Sequence, residues 1–209
     1  MNKVIHCAIR RDLRRFNEAL STFPDSDRAR AGDLHRAWEN FDAQLTHHHE
    51  GEHEIAWPAL RTLGVDEALI GQLDSEHDRM AAALAEARAA MDQLAASASR
   101  SDADVAAEAM GRLQLVTVTH LDHEEAEIEP VFVEHAGSDV LKDMSTKFGR
   151  SQPIGAAGVY MAWLQDGATP EESKALRSSI PGPVLAVLSK LFGRRYHREV
   201  APVWSSPPR

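Results

Sequence analysis

Leu45-Thr46-His47-His48-His49-Glu50-Gly51-Glu52-His53-Glu54-Ile55-Ala56-Trp57-Pro58 carries a donor pattern that the chain uses twice. His48, Glu52 and Pro58 recur at the same spacing as His120, Glu124 and Pro130, and a single His precedes each set, His6 by 42 residues and His77 by 43. The upstream flanks match as well, since Leu13 follows His6 by seven residues and Leu84 follows His77 by seven. Repetition of this period indicates one supersecondary unit, here a helix pair, used twice to enclose something.

Outward from these motifs, apolar periodicity predicts four long helices. Residues 3–21 place His6, Ile9, Leu13, Phe16 and Leu20 on one stripe, and Phe23-Pro24-Asp25-Ser26 breaks it. The second helix carries Leu34, Trp38, Phe41, Leu45, His48, Glu52 and Ile55 into Trp57-Pro58, where the proline ring is expected to kink or end it. The third starts near Asp66 and presents Ile70, Leu73, His77, Met80, Leu84, Ala87, Met91 and Leu94 in an Ala-rich, strongly helix-forming context. After a polar stretch, Ser101 with Asp104 reads as a capping box for the fourth helix, which runs through Ala109, Leu113, Val116, His120, Glu124 and Ile128 to Pro130 or slightly beyond. Short connections favour antiparallel neighbours, so the expected fold is all-α, an up-down-up-down four-helix bundle over residues 1–136.

Past Gly137, glycines and prolines punctuate the chain into short pieces. Thr169-Pro170-Glu171-Glu172 is a helix start with Thr at the cap, and a further piece is expected from Pro183 to Phe192. With Tyr160, Trp163, Leu164, Leu185, Leu188, Leu191 and Phe192, residues 137–209 are too apolar for a disordered tail. They are expected to form short helices packed on the bundle.

The 209 residues suffice for a core without staples, and the lone Cys7 allows no internal disulfide, which fits a reducing compartment. The start of the chain lacks the apolar core of a signal peptide, and no stretch approaches the roughly 20 apolar residues of a membrane span. A cytoplasmic protein without a membrane partner is expected. A net charge of -9 argues against a nucleic-acid partner, and the basic group Lys190, Arg194, Arg195 and Arg198 reads as a solvated helix end or as ion-pair partners for the acidic remainder.

Each of His6, His48, Glu52, His77, His120 and Glu124 falls where the periodicity calls for a core residue. A carboxylate buried in a bundle is costly unless a cation compensates it. Residues at i and i+4 share a helix face, so His48 with Glu52 and His120 with Glu124 can point to one centre that His6 and His77 complete. Six donors are too few for two saturated sites but suit two ions with both glutamates bridging, His6 and His48 on one ion and His77 and His120 on the other. That leaves coordination room on iron or manganese, whereas zinc is satisfied by four donors. Imidazole-rich ligation carries less negative charge than the Glu-x-x-His sites of ferritin-like bundles, favouring a reduced, reversible iron pair. Only His48 continues the core stripe, so His47, His49 and His53 read as a solvated patch or as supports for the ligands. His123 reads as an extra ligand or as a partner that orients one. His35, His135 and His197 fall outside the pattern.

These residues resemble the hemerythrin-like, or HHE cation-binding, domain family, in a form with a C-terminal helical extension. The resemblance rests on His6 with Ile9-Arg10-Arg11-Asp12-Leu13, on His48-x-x-x-Glu52 with Trp57-Pro58-Ala59-Leu60, on Glu76-His77, and on His120-x-x-x-Glu124 leading to Pro130. It covers about residues 3–135 and implies a four-helix bundle around a bridged non-haem di-iron site that deals with O2, nitric oxide or peroxide. Oxygen-carrying members have a fifth His one turn before the third-helix ligand, where this chain has Leu73. One iron then lacks a nitrogen unless His123, Tyr160, Tyr196 or water replaces it, which puts a simple oxygen carrier in doubt.

The leading expectation is therefore a cytoplasmic di-iron protein that binds O2 or NO, or turns over peroxide or NO protectively with a separate electron donor. Leu73, Leu113, Val116 and Trp57 would wall a dry pocket. The rivals are an iron- or gas-sensing module read out by residues 137–209, and a zinc-stabilised structural bundle. No Ser-His-Asp grouping, phosphate loop or dinucleotide fingerprint is evident.

Overall fold

The computed structural model describes residues 1–205, and all regular structure among them is helical. Four long helices dominate: α1 (Asn2–Ser21), α2 (Arg28–Gly51), α4 (Glu67–Ser97) and α5 (Arg100–Glu127). Between them lie a wide π turn at Glu52–Ala56 and the short α3 (Trp57–Thr62). The chain then continues through α6 (Glu129–Glu134), α7 (Asp139–Arg150), α8 (Ile154–Gln165), α9 (Pro170–Ser179) and α10 (Gly182–Val187). Two further π turns, Leu188–Phe192 and Tyr196–Val200, lead into α11 (Ala201–Ser205). No helix among the described residues is long and apolar enough to cross a membrane.

The apolar stripes read from the sequence are the buried faces. Ile9, Leu13, Phe16 and Leu20 of α1, Leu34, Trp38, Phe41 and Leu45 of α2, Met80, Leu84, Met91 and Leu94 of α4, and Met110 and Leu113 of α5 share one core. Neighbouring long helices run antiparallel. Arg10 reaches Glu125 while Asn17 reaches Gln114, across α1 and α5. Arg112 pairs with Glu86 while His120 meets His77, across α5 and α4. Likewise Arg88 holds Asp42 and His49 stacks on His77, across α4 and α2. Rings of Phe16 and Trp38, and of His6 and His48, close the set between α1 and α2.

Two sequence expectations need correction. The cap of α5 is Ser99, not Ser101: its hydroxyl accepts from the Asp102 amide at 3.1 Å. Ala98, left-handed at φ 56°, turns the chain out of α4 at once, so α5 begins two residues early. Pro58, expected to kink or end the second helix, is instead accommodated by a widened turn before it. The Trp57 amide bonds to the Glu52 carbonyl, one residue further back than in an α-helix, and Pro58 then lies in the first turn of α3, where its missing N–H is not needed. By contrast, the Thr169–Glu172 capping box forms as read, with α9 starting at Pro170.

Beyond Gly137, itself at φ 83° between α6 and α7, the chain packs back on the long helices. Met161, Trp163, Leu164, Leu176, Leu185, Tyr196, Val200 and Val203 join the same core as α1, α2, α4 and α5. Gly158 of α8 lies against Phe192 and Gly193 so closely that a Cβ there would overlap them. A buried polar network ties this part to α1. Asp12, 1% exposed, accepts from the Trp163 indole at 2.7 Å and from Arg11 at 2.8 Å. Asp166 accepts from Arg15 at 2.8 Å and from the Tyr196 hydroxyl at 2.7 Å.

Removing one member of such a network strands the others as buried, unpaired groups. Asp12→Ala is expected to lower the unfolding free energy by about 3 kcal/mol, read from urea denaturation, because it leaves the buried Trp163 indole N–H and Arg11 Nε without their carboxylate acceptor and removes the charge paired with Arg11. A loss smaller than the roughly 0.5 kcal/mol typical of surface changes would show that the tail docks by apolar contact alone.

Candidate metal centre

Polar donors form a layer between two apolar clusters. Leu13, Leu45, Met80 and Leu113 lie in one, and Trp57, Leu60, Ile70, Leu73 and Ile128 lie in the other. In chain order the switch from one cluster to the other falls at His48 and Glu52 on the second helix, at His77 on α4 and at His120 and Glu124 on α5, with His6 supplied from the start of α1. Helical periodicity puts each of these on the inward face, and Glu52 opens the π turn.

All six residues expected as ligands are brought together. Donor atoms of His6, His48, Glu52 and Glu124 lie within 4.8 Å of one another, and so do those of Glu52, His77 and His120. Glu52 joins both groups: its Oε1 is 3.2 Å from His48 Nε2 and its Oε2 is 3.3 Å from His77 Nε2. Glu124 belongs to the first group only, with Oε2 3.1 Å from His6 Nε2. Its other oxygen accepts from the Asn2 side-chain amide at 2.9 Å.

Two further carboxylates fix the imidazole tautomers. Glu125 accepts from His6 Nδ1 at 2.8 Å and from Arg10 at 2.7 Å. Glu76 accepts from His120 Nδ1 at 2.9 Å and, on its other oxygen, from His123 Nδ1 at 2.9 Å. An ionised carboxylate can only accept, so the proton sits on Nδ1 and the Nε2 lone pair points inward. His6 Nε2 then faces the Glu124 carboxylate, and His120 Nε2 faces His77 Nε2 at 3.0 Å. Acceptors repel at these distances unless a proton or a cation lies between them.

Burial decides which of the two is preferred. His6 Nε2, His48 Nε2, both oxygens of Glu52 and Glu124 Oε2 are buried without a hydrogen-bond partner. Native interiors rarely leave even one such atom unsatisfied, and here they converge. Protons are a poor remedy for most of them. Burial, aided by the charges of the other imidazoles, holds His48 well below the ordinary histidine range. His77 is pushed down to about 4 by burial and by His120. Burial and the neighbouring Glu124 charge push Glu52 well up. For Glu124 burial acts upward too, but the His6 hydrogen bond and charge outweigh it and its pKa falls. In His6, burial acts downward and Glu124 with Glu125 outweighs it, so its pKa rises. The His6 hydrogen bond, with Arg10, holds Glu125 at about 2. The donor set, nitrogen and carboxylate oxygen with their lone pairs inward, fits divalent metal cations.

The other sequence candidates divide. His123 is not grouped with the donors: it shares Glu76 with His120 and is partly exposed. Tyr196 does not reach the layer, because its hydroxyl is committed to Asp166 in the tail network. The Tyr160 ring lies 6.1 Å from that of His47, and burial together with the charge of Glu52 pushes its hydroxyl pKa up. Trp57 stacks on His77 at 5.6 Å with its indole N–H bonded to Asp74 at 3.0 Å, and Leu73 lies in the same apolar cluster. Leu113 and Val116 belong to the opposite cluster. His53 is exposed beside Asp74, as expected of a solvated patch. His49 departs from that reading, since its Nε2 is buried without a partner and its ring stacks on His77 at 4.5 Å. Sequence reading gave no role to Glu76 and Glu125; the available signal was an acidic residue directly beside a donor, in Glu76-His77 and Glu124-Glu125.

The family model described as hemerythrin HHE cation binding domain matches residues 3–132 and again 68–149. The second match begins just ahead of His77, where the second copy of the motif begins. No curated protein and no solved structure matches.

Glu76→Ala and Glu125→Ala leave every inward donor in place but free an imidazole to rotate or change tautomer. Each is expected to weaken metal retention about 10–100-fold in chelator competition. Glu127→Ala, which touches none of the donors, serves as the control, and equal retention in all three proteins would remove the orienting role.

Proposed function

Because the chain belongs to the hemerythrin HHE cation-binding domain family, we propose that its His/Glu layer holds two iron ions and that the protein binds O2 or NO, or consumes peroxide or NO protectively with an external electron donor. The single observation that carries this reading is the division of the donors into two groups sharing Glu52. One carboxylate with oxygens facing separate imidazole sets is placed to join two cations. The antiparallel contacts of α1, α2, α4 and α5 support an up-down-up-down bundle over residues 1–136, with residues 137–205 as an extension packed on it, the last four residues of the expected 137–209 segment lying outside the described residues.

Iron is proposed over zinc because the four donors of the first group would saturate zinc but leave exchangeable positions on an ion that takes five or six ligands. Manganese has the same preference and is the alternative to test against. When bound, such an ion pair supplies reversible one-electron chemistry and open positions for a small ligand. The chain's own residues supply the surroundings. Glu76 and Glu125 hold His120 and His6 in one tautomer. Trp57 covers one face of His77, and Phe148 of α7 packs against Gly51, where a Cβ would approach the ring to 2.7 Å. With Leu73 and Met144, these rings close the layer against bulk water on that side, while Leu113 and Val116 are proposed to close the other. Partners of this kind are small molecules rather than nucleic acid or membrane, and a cytoplasmic location is part of the same proposal.

A second reading, a sensing module without turnover, is favoured by one connection: α1 carries both His6 and Asp12, the anchor of the tail. Movement of α1 on metal or gas binding would reach residues 137–209 directly.

Natively expressed protein is expected to contain two iron ions per chain and to consume peroxide or NO over many turnovers. One-for-one binding with changed proteolysis of the tail would select the sensor instead, and zinc alone would overturn both. Glu52→Ala is expected to lose both ions, because that side chain serves both groups; retention of two ions would break the bridging assignment. His135→Ala should keep full metal content.

A further inference from the structure

We propose that His49 is a fifth imidazole ligand, serving the second ion and supplying the nitrogen for which Leu73 provides no source. The proposal rests on the two-ion reading above and adds to its ligand set.

The two donor groups are unequal. His6, His48, Glu52 and Glu124 make four, whereas Glu52, His77 and His120 make three. Iron and manganese take more ligands than that, so the second group has room for another protein donor. His49 is placed to provide it. Its Nε2 is buried and has no hydrogen-bond partner, the same condition as that of the inward atoms of His6, His48 and Glu52. The ring stacks on His77 with centroids 4.5 Å apart and meets His120 edge-on at 6.1 Å, so it faces both imidazoles of the incomplete group.

Helix geometry explains how neighbouring residues come to serve different groups. Successive side chains on a helix project about 100° apart. α2 packs against α1 on one side and α4 on the other. His48 turns toward α1, its ring 5.1 Å from His6, and His49 turns toward α4 and His77. The dipeptide His48-His49 thus addresses both halves of the centre from a single turn. Among the other sources, His123 Nδ1 is taken by Glu76, the Tyr196 hydroxyl by Asp166 and His53 Nδ1 by Asp74, and the Tyr160 hydroxyl, which feels the charge of Glu52, is the remaining competitor. His49 is not within the 4.8 Å grouping of Glu52, His77 and His120, so ligation requires its ring to leave the stack and turn toward them.

His49→Phe tests ligation against simple stacking, because phenylalanine keeps an aromatic face on His77 but offers no lone pair. Iron per chain, measured by elemental analysis, is expected to fall from two in the wild type to one in His49→Phe, and to stay at two in His135→Phe. Two ions in His49→Phe, released to a chelator at the wild-type rate, would overturn this proposal while leaving the two-ion reading intact. A wild type with one ion or none would overturn both. Should His49→Phe fail to fold by circular dichroism, the cobalt(II)-loaded wild type decides: five paramagnetically shifted imidazole N–H resonances support His49 as a ligand, and four overturn it.

Discussion

Glu52 and Glu124 are 3% and 2% exposed, and the oxygens they turn toward the layer have no hydrogen-bond donor. An ionised carboxylate withdrawn from water loses several kcal/mol of hydration, which the protein recovers only by placing positive charge beside it. Among the described residues, the ion-pair partners of both are imidazoles, with no Lys or Arg side chain. The inward donors are instead imidazoles, most of them held neutral by burial. The result is a layer rich in lone pairs that crosses an otherwise apolar core and fits cations. At this level the four long helices meet through polar donors, and above and below it through apolar packing.

That constraint orders the residues around the layer. Nδ1 of His6 and of His120 must carry its proton on the outside, and a carboxylate stands at each, Glu125 and Glu76. Those carboxylates are themselves held, Glu125 by Arg10 and Glu76 by His123. Arg10 also reaches Asp122, so the chain of polar contacts ends in solvent-facing ion pairs, where hydration is inexpensive. Charge is passed outward in steps rather than left in the interior.

Most of the fold was legible because period and burial agree: Ile9, Leu13, Phe16, Leu34, Trp38 and Phe41 recur at helical spacing and are all buried. That six polar donors converge was legible for the same reason, since they are polar residues on apolar stripes. What the pattern concealed has local causes. Ser99 and Ser101 both have an acid three residues on, and only the left-handed turn at Ala98 decides between them. A π turn has no sequence period of its own, so Pro58 read as a kink or an end rather than as the first turn of a new helix. His49 lies one residue off the α1-facing stripe, and its burial depends on α4 packing beside α2, a tertiary fact that α2 alone does not contain.

The repeat also explains why a symmetric motif yields an asymmetric centre. Both copies end in Glu followed six residues later by Pro, but the surroundings of the two glutamates differ. Glu124 lies against the beginning of α1, where Asn2 takes one of its oxygens and His6 faces the other. Glu52 stands at the start of a π turn whose widened backbone separates it from α3, and neither of its oxygens is taken. Because Glu52 keeps both oxygens free, it can serve two groups, whereas Glu124 is left to one. The first group is thereby enclosed by α1, α2 and α5, and the second by α2, α4 and α5 with one donor fewer. An identical pair of motifs thus gives one group of four donors and one of three, because the backbone and neighbours around the two glutamates differ.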